Sequence, residues 1–340
     1  MKIAVVILNW NGKALLEKFL PSVINQSPQA TIYVADNAST DDSVIFLKDN
    51  FPQVKIIQNK ENGGFAKGYN EALQYVEEDI FCLLNSDVEV TENWLLPIEE
   101  TFKKYSNVAI LQPKILDYKN KNHFEYAGAA GGFIDRLGYP FCRGRIFQTL
   151  EEDKGQYNDI IDIFWATGAC MFVKKEVFRM LQGFDEDYFA HQEEIDLCWR
   201  AHNRNLKILY VGTSKVYHVG GATLGNMNPK KTFLNFRNSL FSITKNLPKR
   251  KVIPLIVARL FLDGIAAARF LFQFKFLHLL AILRAHLSYY YYFVRIFKKR
   301  GVINKDIKYF ECTSIVLSYF LAQKRYFYEI VNQRSSPNNK

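Results

Sequence analysis

The feature that most constrains this chain is a series of short apolar segments, each stopping abruptly in polar residues. Ile3–Leu8 is an unbroken run with Val and Ile, ended by Asn9-Trp10-Asn11-Gly12. Thr31–Ala35 gives way to Asp36-Asn37-Ala38-Ser39, Lys55–Gln58 to Asn59–Gly64, and Ile80–Leu84 to Asn85-Ser86-Asp87. Such runs suit strands buried on both faces. The segments between them, at 13–25, 41–50 and 66–78, carry helical spacing. Strands alternating with helices predict an α/β fold with a mostly parallel, Rossmann-like sheet flanked by helices. In such sheets ligands bind beyond the carboxyl ends of the strands, so the four polar ends are expected to line one crevice.

Residues 116–160 are rich in Gly, Arg and aromatics without clear periodicity, and read as an irregular insertion over the site. The pattern resumes from 163, with an apolar stretch at Ala169–Val173 and a helix near 175–182. A second helix, 192–204, contains the acidic cluster Glu193-Glu194-Ile195-Asp196, and Lys207–Val211 reads as a strand.

After residue 240 the character changes. Residues 241–340 hold 18 Lys/Arg against 4 Asp/Glu, whereas the first 240 hold 26 against 30. An acidic front joined to a basic, aromatic back implies different partners for the two parts. We therefore expect a catalytic domain over 1–240 and a helical appendage over 241–340. Along 252–297, Arg259, Asp263, Gln273 and Arg284 share one stripe of a helix, with Arg269 at its edge and Lys275 opposite. No 18-residue stretch is free of charge, so a helix in the membrane interface is expected through 250–300 rather than a spanning one. Lys298-Lys299-Arg300 beside Tyr289–Tyr292 favour a headgroup zone. The alternative is packing on the catalytic domain or on another subunit, as in a homo-oligomer. The basic segment is too apolar for a nucleic-acid groove, so no nucleic acid is expected. Five widely spaced cysteines without a Cys-x-x-Cys pair fit a reducing compartment, and the start shows no secretory pattern. A cytoplasmic protein, peripheral at the inner face of the membrane, is the expected setting.

Seven segments then follow one another in order: VVILNWNG (Val5–Gly12), DNAST (Asp36–Thr40), NGGFAKGYN (Asn62–Asn70), LLNSD (Leu83–Asp87), ATGAC (Ala166–Cys170), EEIDLCW (Glu193–Trp199) and HVGGAT (His218–Thr223). Together they resemble the family 2 glycosyltransferases of the GT-A fold, in the rhamnosyltransferase-like branch that builds bacterial surface polysaccharides. The resemblance covers residues 1–240. It implies an inverting transferase that moves a sugar from a UDP- or dTDP-sugar to a hydroxyl of a lipid-linked saccharide.

The resemblance also assigns roles. Asp36, with Asn9 and Asn37, would contact the nucleoside; an Asx turn is the alternative for Asp36. Gly63, Gly64, Lys67 and Asn70 belong to a glycine-rich turn opening a helix, where the backbone can approach a donor phosphate. The spacing is neither G-x-G-x-x-G nor a P-loop, which excludes NAD enzymes and P-loop NTPases. Asn85-Ser86-Asp87 stands where the family carries Asp-x-Asp. Asp87 would bind Mn²⁺ or Mg²⁺ bridging the diphosphate, Asn85 a ribose, and His218 would complete the metal site. Inversion needs a base for the acceptor hydroxyl. Glu194 occupies the family's Asp position, with Glu193 as fallback, and the helix start is expected to keep it ionised. Thr167 and Gly168 would line the acceptor side; Trp165 would stack on a sugar face or belong to the core, and Asp196 would contact the acceptor or be structural. The Asp-to-Asn and Asp-to-Glu departures leave a non-catalytic polysaccharide-assembly protein as one alternative and a sugar nucleotidyltransferase as another.

Overall fold

The computed structural model describes residues 1–220 and 228–331 of the chain. The apolar runs are explained by two separate cores, one on each face of a central sheet. In β1 (Ile3–Asn9), Ala4 and Val6 join one core while Ile3, Val5 and Ile7 join the other. α1 (Lys13–Asn25), β2 (Ala30–Asp36), α2 (Ser43–Asn50), β3 (Lys55–Gln58) and α3 (Gly64–Ala72) follow. β4 (Ile80–Asn85) divides like β1, with Phe81 and Leu83 on one side and Ile80, Cys82 and Leu84 on the other. A strand buried on both faces has no place for alternating polar residues.

The strands β3, β2, β1 and β4 lie side by side and parallel. Their register sets Asn9 opposite Asp36 and Leu8 opposite Asn85. The polar ends therefore meet at one edge, as expected.

Next come β5 (Val88–Val90), α4 (Leu96–Lys104) and β6 (Val108–Asp117). The segment 116–160, expected to be irregular, contains a small antiparallel sheet of β7 (Gly132–Ile134), β8 (Pro140–Cys142), β9 (Arg145–Ile146) and β10 (Thr149–Leu150). Strands this short leave no readable period. Polar staples hold the segment instead: Asp135 accepts from the N–H groups of Leu137, Tyr139 and Ile315, and Arg143 forks onto Asp159.

β11 (Ile160–Asp162), β12 (Cys170–Lys174), α5 (Lys175–Met180), α6 (Glu193–His202) and β13 (Lys207–His218) complete this part. β12 runs antiparallel between β4 and β6, and β13 lies parallel to β6. The central sheet has nine strands among the described residues.

The boundary expected at 240/241 falls inside α7 (Pro229–Asn246), which belongs to both parts. Asn238 donates to the carbonyls of Tyr188, Ala190 and His191, while Lys245 pairs with Asp185 and Asp196. α8 (Lys249–Phe272) and α9 (Phe276–Lys298) form a hairpin on α7, followed by short helices α10 (Ile315–Phe320) and α11 (Phe327–Ile330).

The single amphipathic helix expected over 252–297 is thus two helices, turned at Phe274 with φ 57°. The polar stripe does not face outward either. Arg259 and Asp263 are 1% and 0% exposed and point inward, where Asp263 meets Arg259 at 3.3 Å, His286 at 3.0 Å and Tyr139 at 2.5 Å. Arg284 sits on the other helix and is exposed. Tyr289, grouped with the headgroup aromatics in sequence, is also buried.

Asp263→Leu strands Arg259 in the interior, so it should cost about 3–5 kcal/mol of unfolding free energy in urea titrations. Arg259→Met/Asp263→Leu should recover most of that loss.

Candidate active site

The β5–β13 pairing sets His218 opposite Val88, which places Asp87 beside the end of β13. Asp87 Oδ1 lies 3.1 Å from His218 Nε2, and Asn85 Nδ2 lies 3.4 Å from the same nitrogen. On the other side of the ring, Nδ1 faces Glu125 Oε2 at 3.3 Å, off hydrogen-bond alignment. Asp87, Glu125 and His218 are all buried. Burial opposes a charged imidazole, but the carboxylates of Asp87 and Glu125 outweigh it and hold His218 up to about 10. Gly220 abuts this group, with φ +69° and room for no Cβ: one would lie 2.4 Å from Glu125 Oε1. The rest of the HVGGAT segment, 221–223, lies outside the described residues.

Among the described residues no group of three or more His, Cys, Asp or Glu side chains is arranged to hold a metal ion. A hard divalent cation on a diphosphate needs few protein donors, because phosphate oxygens and water complete its shell. An Asp87 oxygen with His218 Nε2 fits that requirement once the ring gives up its proton as the cation binds, and Glu125 stands where a carboxylate orients a ligating imidazole. Such a mixed oxygen–nitrogen set suits Mn²⁺ better than Mg²⁺.

The nucleoside end is a buried polar network. Asp36 Oδ1 accepts from Asn9 Nδ2 at 3.1 Å, and Oδ2 accepts from the Ser39 N–H at 2.9 Å. Asp36 thus holds the loop that follows it through Ser39, three residues on, at 1% exposure. Asn9 Oδ1 is buried without a partner. Asn37 is a spacer between loops: it donates to Asn62 and the Gly64 carbonyl and accepts from Asn59.

The glycine-rich turn differs from expectation. The Phe65 and Ala66 N–H groups at the start of α3 donate to the Phe189 carbonyl at 2.8 and 3.3 Å, so this helix start is filled by backbone. Gly64, at φ +78°, is required by the same contact, since a Cβ would lie 2.4 Å from that oxygen. Gly63 packs on the Lys67 side chain. Lys67 points away to Glu61 and Glu71, and Asn70 spends its amide on the Phe184 backbone and Glu186. Neither is free for a phosphate. Arg237 likewise donates to the carbonyls of Asp187 and Tyr188.

The acidic cluster contains opposite environments. Asp196 is 0% exposed and hydrogen-bonded to Arg200, Lys245 and Asn246 at 2.8–2.9 Å. Burial works against its charge, yet Arg200 and Lys245 hold it well below the usual carboxylate range. It presents nothing to an acceptor. Glu193 and Glu194 open α6, and each has one buried oxygen with no partner. Desolvation drives Glu193 far upward, helped by the charge of Glu194. Desolvation also pushes Glu194 up to about 7, against the pull of backbone N–H groups. The helix start alone does not hold Glu194 in the ordinary carboxylate range, because burial outweighs the dipole. The Gln192 side chain does not cap α6.

Of the acceptor residues, Trp165 is core: its ring covers Gly132 and its Nε1 donates to the Phe133 carbonyl at 2.9 Å. Thr167 is buried, its N–H on Gln112 and its hydroxyl accepting from Ala169. Gly168 alone of the set is half-exposed, above the Phe65 ring.

Two residues escaped the sequence reading. Glu125 sits in the aperiodic segment, where nothing in the sequence flags it. His191 precedes α6 in a strained run, with Phe189, His191 and Gln192 at φ 64°, 67° and 73°. Its Nε2 is buried and unpartnered, and burial, then Lys231, pushes the ring down to about 4. Three positive φ values in four non-glycine residues would have been visible only in coordinates.

The sheet, covered on both faces, carries a carboxylate–imidazole pair at its strand ends, two unpaired acids open α6, and the fold is of the GT-A class. The pattern described as Glycosyl transferase family 2 matches residues 4–181, just over half of the chain. The chain belongs to that family and is a rhamnosyltransferase-like glycosyltransferase. Among curated proteins it is similar to the N-acetylglucosaminyl-diphospho-decaprenol L-rhamnosyltransferase of Mycobacterium tuberculosis, 23% identical over 231 residues, 63% of this chain and 75% of the relative. The rhamnosyltransferase WbbL of Escherichia coli is also 23% identical, over 63% of this chain and 82% of its own. Among solved structures, GalNAc-T7 with UDP, GalNAc and Mn²⁺ superposes at a TM-score of 0.58 and 17% identity, over 74% of this chain. This chain spans about half, 49%, of that protein. The mannosyltransferase PcManGT from Pyrobaculum calidifontis, with GDP-Man and Mn²⁺, gives 0.53 and 13%, over 85% and 87% of the two chains.

Gly64→Ala forces a Cβ into the Phe189 carbonyl at a positive φ. It should cost more than about 1 kcal/mol of stability, read as a lower midpoint in thermal or urea unfolding.

Proposed function

We propose that this glycosyltransferase moves a sugar, with inversion, from a UDP- or dTDP-sugar to a hydroxyl of a lipid-linked saccharide in surface polysaccharide synthesis, at the inner membrane face. The observation that carries the reading is the pairing of Asp87 with His218, backed by Glu125, at the strand ends that in this fold receive the ligand. The nucleotide–Mn²⁺ complexes of similar folds and the lipid-linked substrate in the M. tuberculosis relative's name support it.

Asp87 and His218 would hold the cation, with Glu125 fixing the ring. When bound, that cation offsets the negative charge gathering on the departing diphosphate. The Asn9 Oδ1 acceptor and the remaining lone pairs of Asp36 would receive N–H or O–H groups of the nucleoside, and Asn85 would reach the ribose. Glu194, with its unpartnered oxygen, would take the proton of the acceptor hydroxyl as that oxygen attacks C1. Glu193, the more strongly buried acid, would stay protonated and so spare Glu194 a second negative neighbour. Gly168 would leave room for the acceptor.

Two outcomes test this. Glu194→Gln should lower transfer by about 10²–10⁴-fold while leaving donor binding intact. Asp87→Ala should abolish the Mn²⁺-dependent thermal shift by UDP- or dTDP-sugars. Full turnover and an unchanged shift in both variants would remove the reading.

A pH profile follows from Glu194. A base works only when ionised, and this carboxyl is raised to about 7. Activity should therefore climb with pH up to about 7 and level off above it, the reverse of an acid-requiring step. A flat kcat/KM between about pH 5.5 and 8.5 would argue against Glu194 as the base.

A further inference from the structure

The hairpin α8–α9 is built inside out. A surface helix of a globular protein normally turns its apolar stripe inward and its charges to water. Here the charged Arg259 and Asp263 are buried, while Val257, Phe261 and Ile265 of the same helix are 61%, 71% and 53% exposed. α9 repeats the inversion, with His278 and His286 inward and Leu287 and Tyr291 at 69% and 81% exposure outward. Phe272 and Phe274 at the hairpin turn are each 80% exposed. A contiguous apolar face of this kind marks an interaction surface.

The other end of the hairpin is basic. The start of α8 and the end of α9 enclose a cavity of about 700 Å³ lined by Lys249, Arg250, Lys298, Arg300 and Lys305, with no acid among its lining residues. Arg300 is held by the carbonyls of Thr244 and Leu247, which fixes one cation in place. Among the described residues Lys249, Arg250, Lys298 and Lys305 take part in no ion pair, whereas Lys299 next to them is spent on Asp185 and Asp187. A cavity of unpaired cations at the end of an apolar face has the chemistry of a lipid phosphate with its chains alongside.

We propose that the outer face of α8 and α9 lies in the interfacial zone of an anionic bilayer, with the headgroup phosphate of an anionic phospholipid seated in the cavity between Lys249 and Lys305. This rests on the peripheral membrane reading above and gives it an orientation and a ligand. Among the described residues no helix is long and apolar enough to cross a membrane, so the hairpin lies on it. Charge selects a bilayer over a second copy of the chain. Face-to-face pairing would bring together two regions that each hold 18 Lys/Arg against 4 Asp/Glu.

The test is sedimentation of the full chain with phosphatidylcholine vesicles, with and without phosphatidylglycerol. Wild type should favour the anionic vesicles. Lys249→Gln/Arg250→Gln/Lys298→Gln should lose about a hundredfold in affinity for them and keep its weaker binding to the neutral ones. Phe261→Gln/Tyr291→Gln should lose both. Donor hydrolysis in solution should stay at the wild-type level in both variants, which separates this inference from the catalytic one. Equal binding of wild type to the two vesicle types would overturn the phosphate site while leaving the membrane reading standing, and no binding to either would overturn both. Release from anionic vesicles by low concentrations of inorganic phosphate would make the cavity a soluble-phosphate site instead. A dimer that Phe261→Gln/Tyr291→Gln dissociates, without vesicle binding, would make a second copy the occupant.

Discussion

The structure depends on one buried cluster of charge. Asp196 on α6 is gripped by Arg200 of its own helix and by Lys245 and Asn246 of α7. Lys245 reaches on to Asp185, which also receives Lys299 from the end of α9 at 2.5 Å. A buried ion contributes favourably only when every partner is in place, and it penalises every other arrangement. The cluster therefore fixes the axis of α6 and with it the position of Glu194, two residues before Asp196. It also ties the C-terminal hairpin to the catalytic half, so the part proposed to meet the membrane and the part proposed to do chemistry share one anchor.

Within one turn of helix the protein makes carboxyl groups of opposite character. Asp196 is buried with cations and kept ionised; Glu193 and Glu194 are buried without them and driven toward the neutral form. The helix start offers all of them the same dipole, worth about 0.3–1 kcal/mol at an exposed site. That is too little to offset desolvation of an unpaired carboxylate. Partners, not position on the helix, decide which acid is tied into the interior and which is left without a counter-charge.

The strand half of the fold was legible in the sequence because burial on both faces leaves a strong mark. The helix at 13–25 and the strand at 55–58 have the limits the apolar pattern predicts. Asp87 and His218 were legible as a pair only through the resemblance, and the β5–β13 register now sets them side by side. What could not be read were contacts between distant segments. Glu125 behind His218, the Phe189 carbonyl over the start of α3, and the small sheet within 116–160 are contacts that no local period encodes. For Trp165 and Asp196 sequence position alone left an acceptor contact and a structural place both open; burial puts both in the interior.

The tail shows where periodicity misleads. The expected stripe of Arg259, Asp263, Gln273 and Arg284 survives only as Arg259 and Asp263, because Gln273 lies in the exposed turn and Arg284 on α9; a helical pattern says only that two faces differ, not which one meets water. In a chain surrounded by water the polar face goes outward. Here it goes inward because Tyr139, Ser239 and His286 supply the buried partners that those charges need. Once the polar side is satisfied from within, the apolar side must find its own cover. A helix that buries Arg259 and Asp263 against the protein and turns Val257, Phe261 and Ile265 outward has the polarity expected beside lipid, where the medium itself is apolar. The direction of that stripe, fixed by the Arg259–Asp263 salt bridge, thus determines which apolar surface α8 turns outward.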